Sequence, residues 1–201
     1  MTIIRRIDYS SNKAIGAIVI DSTKKSLWIA YKKNLSNKCL LKRVSAFNPN
    51  QLYYSIEIEV DEIKKLTISG DYIYCAYEDS ALIGARYSTS NPLTTSTDFS
   101  IPSGITEAPV DVLVSNSDLW YLIPGTATGE NAKLIKFSTT GTYDETIDLS
   151  ETGNIITNAV SLTEDTGTGD LYIVTNNSPS ELVRVYQTTG GSYEWEVTSL
   201  S

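Results

Sequence analysis

The chain of 201 residues contains no histidine. That removes imidazole acid–base chemistry, Ser–His and Cys–His nucleophile pairs, and most zinc sites. There are two cysteines and one methionine. Two thiols are too few for a disulfide framework, and Cys39 and Cys75 fall on different expected strands. A bridge between them would need a close Cβ–Cβ approach that spacing alone does not supply. No run of 18 apolar residues occurs, so no membrane-spanning helix is expected. The opening "MTIIRRIDYSSNK" lacks the apolar core and small-residue cleavage site of a signal peptide. No glycine-rich phosphate loop sits between a strand and a helix, so no nucleotide site and no cofactor are expected.

What is present favours strands. There are thirteen tyrosines, and Ser, Thr and Asn are abundant. The formal charge of −8 is unevenly spread. Residues 1–87 hold 13 Lys/Arg and 9 Asp/Glu, a net of +4; residues 88–201 hold 3 and 15, a net of −12. An acidic chain is a poor general ligand for nucleic acid, whose phosphates reward positive charge. The basic pairs at 24–25, 32–33 and 64–65 read first as solvated strand ends. The split also suits contact between unlike halves of neighbouring subunits.

Four stretches repeat one theme: "KSLWIAYKK", "GDYIYCAYED", "SDLWYLIPG" and "GDLYIVTNN". Each places an apolar–aromatic pair after a polar turn: Leu27-Trp28, Ile73-Tyr74, Leu119-Trp120 and Leu171-Tyr172, spaced 46, 46 and 52 residues apart. An apolar segment precedes each pair: 14–20, 62–68, 109–114 and 158–162. A segment with a basic residue follows: 40–45, 83–88, 134–138 and 182–187. An alternating segment closes each unit: 54–60, 97–102, 145–150 and 193–200. The reading is an all-β chain of four four-stranded antiparallel units, strands A to D, with A and B covered on both faces and D at the outer edge. Trp28, Tyr74, Trp120 and Tyr172 are expected at equivalent buried positions between units.

This rhythm resembles the β-propeller superfamily over roughly residues 13–201, with blades near 13–60, 61–102, 108–150 and 157–201. It carries no subfamily motif: the Trp-Asp repeat signature, the kelch double glycine and the sialidase Asp-box are missing. A two-domain β-sandwich is the alternative architecture. Residues 2–10 read as a surplus strand, so residues 1–12 form an edge or exchanged segment. Its Ile3, Ile4, Arg5, Arg6 and Ile7 would pair with the last strand of a neighbour, where Glu194 and Glu196 offer opposite charge.

In propellers the B–C and D–A loops share the face where ligands usually bind. Tyr31, Asn34, Tyr77, Asp79, Asn131, Asn176 and Asn177 fall on those loops or beside them. A flat ring beside Asn or Asp suits a glycan; the competing reading of Tyr31 and Tyr77 is packing against the next blade. Sequons stand at Asn34 and Asn176. The turn "EDTGTGD" sets Glu164, Asp165 and Asp170 together, a set that suits Ca²⁺, but without the EF-hand pattern a plain hairpin turn is expected there and no metal. Glu57 and Glu59 share a strand face, yet simple alternation on an outer strand accounts for them better than glycosidase chemistry. With no catalytic constellation, the expectation is not an enzyme but a structural or adhesive homo-oligomer, or a subunit of an extracellular or virion assembly such as a phage tail, fibre or filament. A glycan-binding propeller is the alternative, followed by a carbohydrate-active enzyme.

Overall fold

The computed structural model describes residues 13–33, 38–48, 50–92, 96–126, 130–151 and 154–200. Among these there is no helix, and sixteen strands form four four-stranded antiparallel sheets. The first holds β1 (Lys13–Asp21), β2 (Ser26–Lys33), β3 (Cys39–Ser45) and β4 (Leu52–Ile58). The second holds β5 (Glu62–Ser69), β6 (Tyr72–Glu78), β7 (Leu82–Ser88) and β8 (Ser96–Ser100). The third holds β9 (Asp111–Ser115), β10 (Asp118–Ile123), β11 (Lys133–Ser138) and β12 (Tyr143–Asp148). A two-residue pair that the sequence did not announce, β13 (Ser150–Glu151) with β14 (Asn154–Ile155), precedes the last sheet. That sheet holds β15 (Ala159–Glu164), β16 (Leu171–Thr175), β17 (Ser180–Gln187) and β18 (Tyr193–Leu200). The segment 2–10, and with it Ile3, Ile4, Arg5, Arg6 and Ile7, lies outside the described residues.

Strands within each sheet follow chain order, so every connection is a hairpin. Their turns use the residues such turns need. Asn116 and Ser117 take φ of 50° and 71° between β9 and β10, and Gly70 takes 56° between β5 and β6. The sheets stack through their inner strands: β1 lies against β5, β5 against β9, and β9 against β15. No contact of that extent returns from β15 to β1 among the described residues, so the four blades form an open arc. Near the inner strands Asp111 ties three blades together. Its buried carboxylate lies 3.4 Å from Lys65 of β5 and accepts the Leu162 amide of β15 at 3.0 Å.

Each sheet has a front, toward the preceding sheet, and a back, toward the following one. Because side chains alternate along a strand, the two members of each apolar–aromatic pair serve opposite faces. Ile73, Leu119 and Leu171 point forward into three successive cores. Trp28, Tyr74 and Trp120 point backward into the same three. Tyr172 departs from the expectation. It is only half-buried, because no described sheet lies behind the fourth. Cys39 and Cys75 are both buried in the first inter-sheet core and both are free thiols.

Interlocking volumes set the sheet spacing. At one back-face position the first, third and fourth sheets carry Leu41, Leu134 and Leu182, whereas the second carries Gly84. A Cβ on Gly84 would sit 2.3 Å from the Tyr121 hydroxyl oxygen. That hydroxyl reaches back from the third sheet to donate to the Cys75 carbonyl at 3.1 Å. Glycine here makes room for the neighbouring blade's tyrosine.

Candidate functional site

A cation on each C strand stands across from the backward-pointing aromatic: Arg43 opposite Trp28, Arg86 opposite Tyr74, Lys136 opposite Trp120 and Arg184 opposite Tyr172. The first two strap one blade to the next. Arg43 Nη1 donates to the Thr89 carbonyl at 3.0 Å and Arg86 Nη1 to the Thr139 carbonyl at 2.6 Å, each just past the neighbouring blade's C strand. Lys136 makes no such strap. Its Nζ lies 3.3 Å from Asp118 and 3.0 Å from Asp144, both of its own sheet. Burial pulls the ammonium pKa down, but the bonds to Asp144 and Asp118 outweigh it and leave the pKa above the ordinary lysine value.

Where the strap is missing a cavity opens. It has a volume of about 250 Å³ and lies between the third and fourth sheets at their A–B and C–D turns. Asn116, Asp118 and Trp120 line it from the third sheet, and Thr168, Gln187 and Tyr193 from the fourth. Trp120 and Tyr193 meet edge to face with centroids 5.4 Å apart, and the Lys136 ammonium stands 5.6 Å from each ring. Partial burial holds the Tyr193 hydroxyl above its ordinary pKa. The lining therefore combines the Asp118 and Asp170 carboxylates, two amides and hydroxyls with aromatic edges. Such a set hydrogen-bonds a polyhydroxylated molecule and packs its apolar faces.

A second cluster lies on the opposite, B–C and D–A loop face. Glu107 is half-buried; its Oε2 is shielded from solvent and has no hydrogen-bond partner among the described residues. Burial raises its pKa, and the nearby charge of Glu130 raises it further, against the bond from the Gly125 backbone. Thr106 Oγ1 donates to the Glu130 carboxylate at 3.0 Å. A carboxyl whose pKa is raised near a second carboxyl suits a general acid with a partner base. Sequence reading missed both. Nothing in the sequence says that Glu107 and Glu130 come near one another.

The residues singled out from sequence are mostly engaged elsewhere. Tyr31 and Tyr77 occupy equivalent B-strand ends, and both are buried, so neither offers a ring face to a ligand. Tyr77 instead hydrogen-bonds Tyr87, 2.8 Å hydroxyl to hydroxyl. Asp79 caps its turn, accepting the Ala81 and Leu82 amides at 2.8 and 3.0 Å. Asn131 donates to Asp148 at 3.0 Å, and its buried Oδ1 has no partner among the described residues. Asn177 donates to Glu181 at 3.0 Å and accepts from Asn158 at 2.9 Å, while Asn176 is exposed beside it. Asn34 lies outside the described residues. The two turn aspartates are drawn apart. Asp165 accepts the Gly167 amide at 2.8 Å, while Asp170 accepts Nε and Nη2 of Arg184 at 2.8 and 2.7 Å. Glu196 accepts Arg184 Nη1 at 2.9 Å and Glu194 accepts the Tyr186 hydroxyl at 3.1 Å. Glu57 is bonded by Lys33 and Lys38, which bring its pKa down to about 2, so it stays ionised and supplies no acid.

No protein-family model matches the chain, and no curated protein sequence matches it. Solved structures do, at low identity. The WD40 β-propeller domain of Doa1 aligns over 92% of this chain and 69% of its own, with 12% identity and a TM-score of 0.55. A candidate 6-phosphogluconolactonase from Bacteroides uniformis aligns over 94% of this chain and 55% of its own, with 15% identity and a TM-score of 0.62. An engineered GH43 glycoside hydrolase with endo-xylanase and exo-arabinofuranosidase activity aligns over 90% of this chain and 39% of its own, with 14% identity and a TM-score of 0.55. These likenesses establish a propeller-type fold, of which this chain spans only part in the latter two. They also overturn the expectation that the chain is not an enzyme. Named enzymes stand among the proteins sharing its architecture, and missing histidine excludes only histidine-based catalysis, not carboxylate pairs.

Proposed function

We propose that this protein binds a sugar-type, polyhydroxylated ligand in the cavity between its third and fourth sheets. The observation that carries the reading is the lining itself. Asp118, Asn116, Asp170 and Gln187 surround Trp120 and Tyr193, and the Lys136 ammonium stands 5.6 Å from both rings. Charged and amide groups orient hydroxyls, and the two rings supply apolar contact. The test is titration of the chain with a panel of mono- and disaccharides, followed by calorimetry and tryptophan emission. Binding should be lost in Asp118→Asn and Tyr193→Ala and kept in Asn177→Ala, which changes the opposite face. A panel without binding, or binding indifferent to Tyr193, defeats the reading.

A second reading places acid–base hydrolysis at Glu107 and Glu130. The shielded Oε2 of Glu107 and its raised pKa favour it, and the glycoside hydrolase among the structural neighbours shows what the architecture can carry. Glu107 would protonate a leaving oxygen while Glu130 activates water. Turnover of aryl glycosides that disappears in both Glu107→Gln and Glu130→Gln supports this; turnover unchanged in either variant rejects it.

A further inference from the structure

A second cavity, of about 380 Å³, lies where the outer edge of the second sheet meets the third. We propose that it receives an apolar side chain of an extended peptide, which pairs along β8 and adds a strand to the second sheet.

The backbone points to that occupant. β8 ends the second sheet, so one of its edges has no ladder partner. The Ile101 amide, just past β8, donates to the Ala81 carbonyl at 3.1 Å and so points into its own sheet. Successive residues of a strand direct their backbone groups to opposite sides. Phe99 therefore also faces β7, and the amides and carbonyls of Asp98 and Ser100 face outward. Asp98 and Ser100 are the two β8 residues that line the cavity. Among the described residues no hydrogen bond from the third sheet reaches their backbone. Outward donors and acceptors at two-residue spacing are a template for one more extended chain.

The side chains fit the same occupant. Phe137 and Tyr143, on the front of the third sheet, form one wall, and Ile101, Pro102 and Ser103 close one end. Phe137 is buried, with its ring edge to face with Phe99 at 5.4 Å. Tyr143 meets Phe137 edge to face at 5.7 Å yet is 46% exposed, because no strand of the second sheet lies outside β8. An added strand would fill the space in front of that ring.

The pairing also sets the order of side chains in the guest. Phe99 points back into the core between the second and third sheets, so Asp98 points forward. Residues opposite one another in neighbouring strands share a face. A guest residue across from Phe99 sends its side chain into the cavity, and one across from Asp98 stands beside that exposed carboxylate. The sequence that fits alternates apolar and basic residues. Charge agrees, because residues 88–201 hold 3 Lys/Arg and 15 Asp/Glu, a net of −12.

The test peptide is a fluorescein-labelled octapeptide alternating lysine and leucine, followed by anisotropy against the full chain up to about 1 mM. The unaltered chain should bind it, and Ser100→Pro should weaken binding at least about tenfold. That proline removes an outward amide and no ladder bond, so circular dichroism should match the unaltered chain. Tyr143→Ala, which strips one wall of the cavity, should weaken binding about tenfold. Two modified peptides separate strand pairing from charge attraction. In antiparallel pairing the residue across from Asp98 exchanges both backbone bonds with it, so the lysine amides face β8 and the leucine amides face away. N-methylation of the lysine amides should abolish binding, and N-methylation of the leucine amides should spare it. No binding by the unaltered chain, equal binding of the two methylated peptides, or binding that survives Ser100→Pro overturns the proposal.

Discussion

The second and fourth sheets are built on one plan and end in different circumstances. In the second, five consecutive residues of β6, Ile73 to Tyr77, are buried, because a sheet lies against each face. In the fourth, β16 alternates: Leu171, Ile173 and Thr175 are buried, while Tyr172 and Val174 are half-buried. The segments YIYCAYE and LYIVT are similarly apolar. A strand's composition thus tells that both faces are suited to cover, not that both are covered. The same holds for the C-strand cations. Arg86 spends its guanidinium on the next blade, and Arg184 spends its own within the sheet.

The comparison is tested most strongly by truncating the aromatics. Trp120→Ala removes a buried ring between sheets and should cost about 3–5 kcal/mol in urea unfolding. Tyr172→Ala in a monomeric background should cost about 1 kcal/mol or less. Equal losses would mean that the back of the fourth sheet is already covered. Gly84→Ala comes next, at about 1–3 kcal/mol, because its Cβ would overlap Tyr121 and the Cys75 carbonyl. Gly190, in the last C–D turn, has no such neighbour, its Cβ coming only to 3.7 Å from Thr188 Oγ1, so Gly190→Ala should be near neutral. Of similar size is the pair of polar changes. Arg86→Ala loses a charged hydrogen bond to another blade and should cost about 1.5–3 kcal/mol. Glu196→Ala breaks an exposed ion pair within one sheet and should cost under about 1 kcal/mol.

The smallest effect concerns Glu107 and carries a sign. Its pKa is raised on folding, so above the ordinary glutamate pKa of about 4.3 the unfolded chain gives up this proton first. Stability therefore falls as pH rises from there through the folded pKa. Glu107→Gln should flatten that segment of the melting-temperature profile and leave the protein slightly more stable at neutral pH. A profile with unchanged slope would show that burial does not bear on this carboxyl.

Much of this was legible without coordinates. The spacing of Leu27-Trp28 and its three echoes located all four sheets, and the apolar, basic and alternating segments around them became the A, C and D strands. The candidate sites were not legible to the same degree. Tyr31 and Tyr77 stood out as aromatic strand ends, and packing consumed both. The cavity lies between two sheets, near a lysine at position 136 where the other three sheets have arginine. It exists only when the neighbouring blade's turns are in place. Glu107 and Glu130 are separated in sequence and unremarkable singly; burial of Glu107, and then the nearby charge of Glu130, raise one pKa, and both are tertiary.

The sequence by itself determined the strand rhythm and which residue of each pair faces forward or back, because a two-residue period and hairpin turns are local properties of the chain. Only the tertiary structure decided which of those equivalent faces are covered. Cover requires a neighbouring sheet at the right distance, and a repeat says the same thing at its ends as in its middle. Trp28, Tyr74 and Trp120 received that neighbour, and Tyr172 did not.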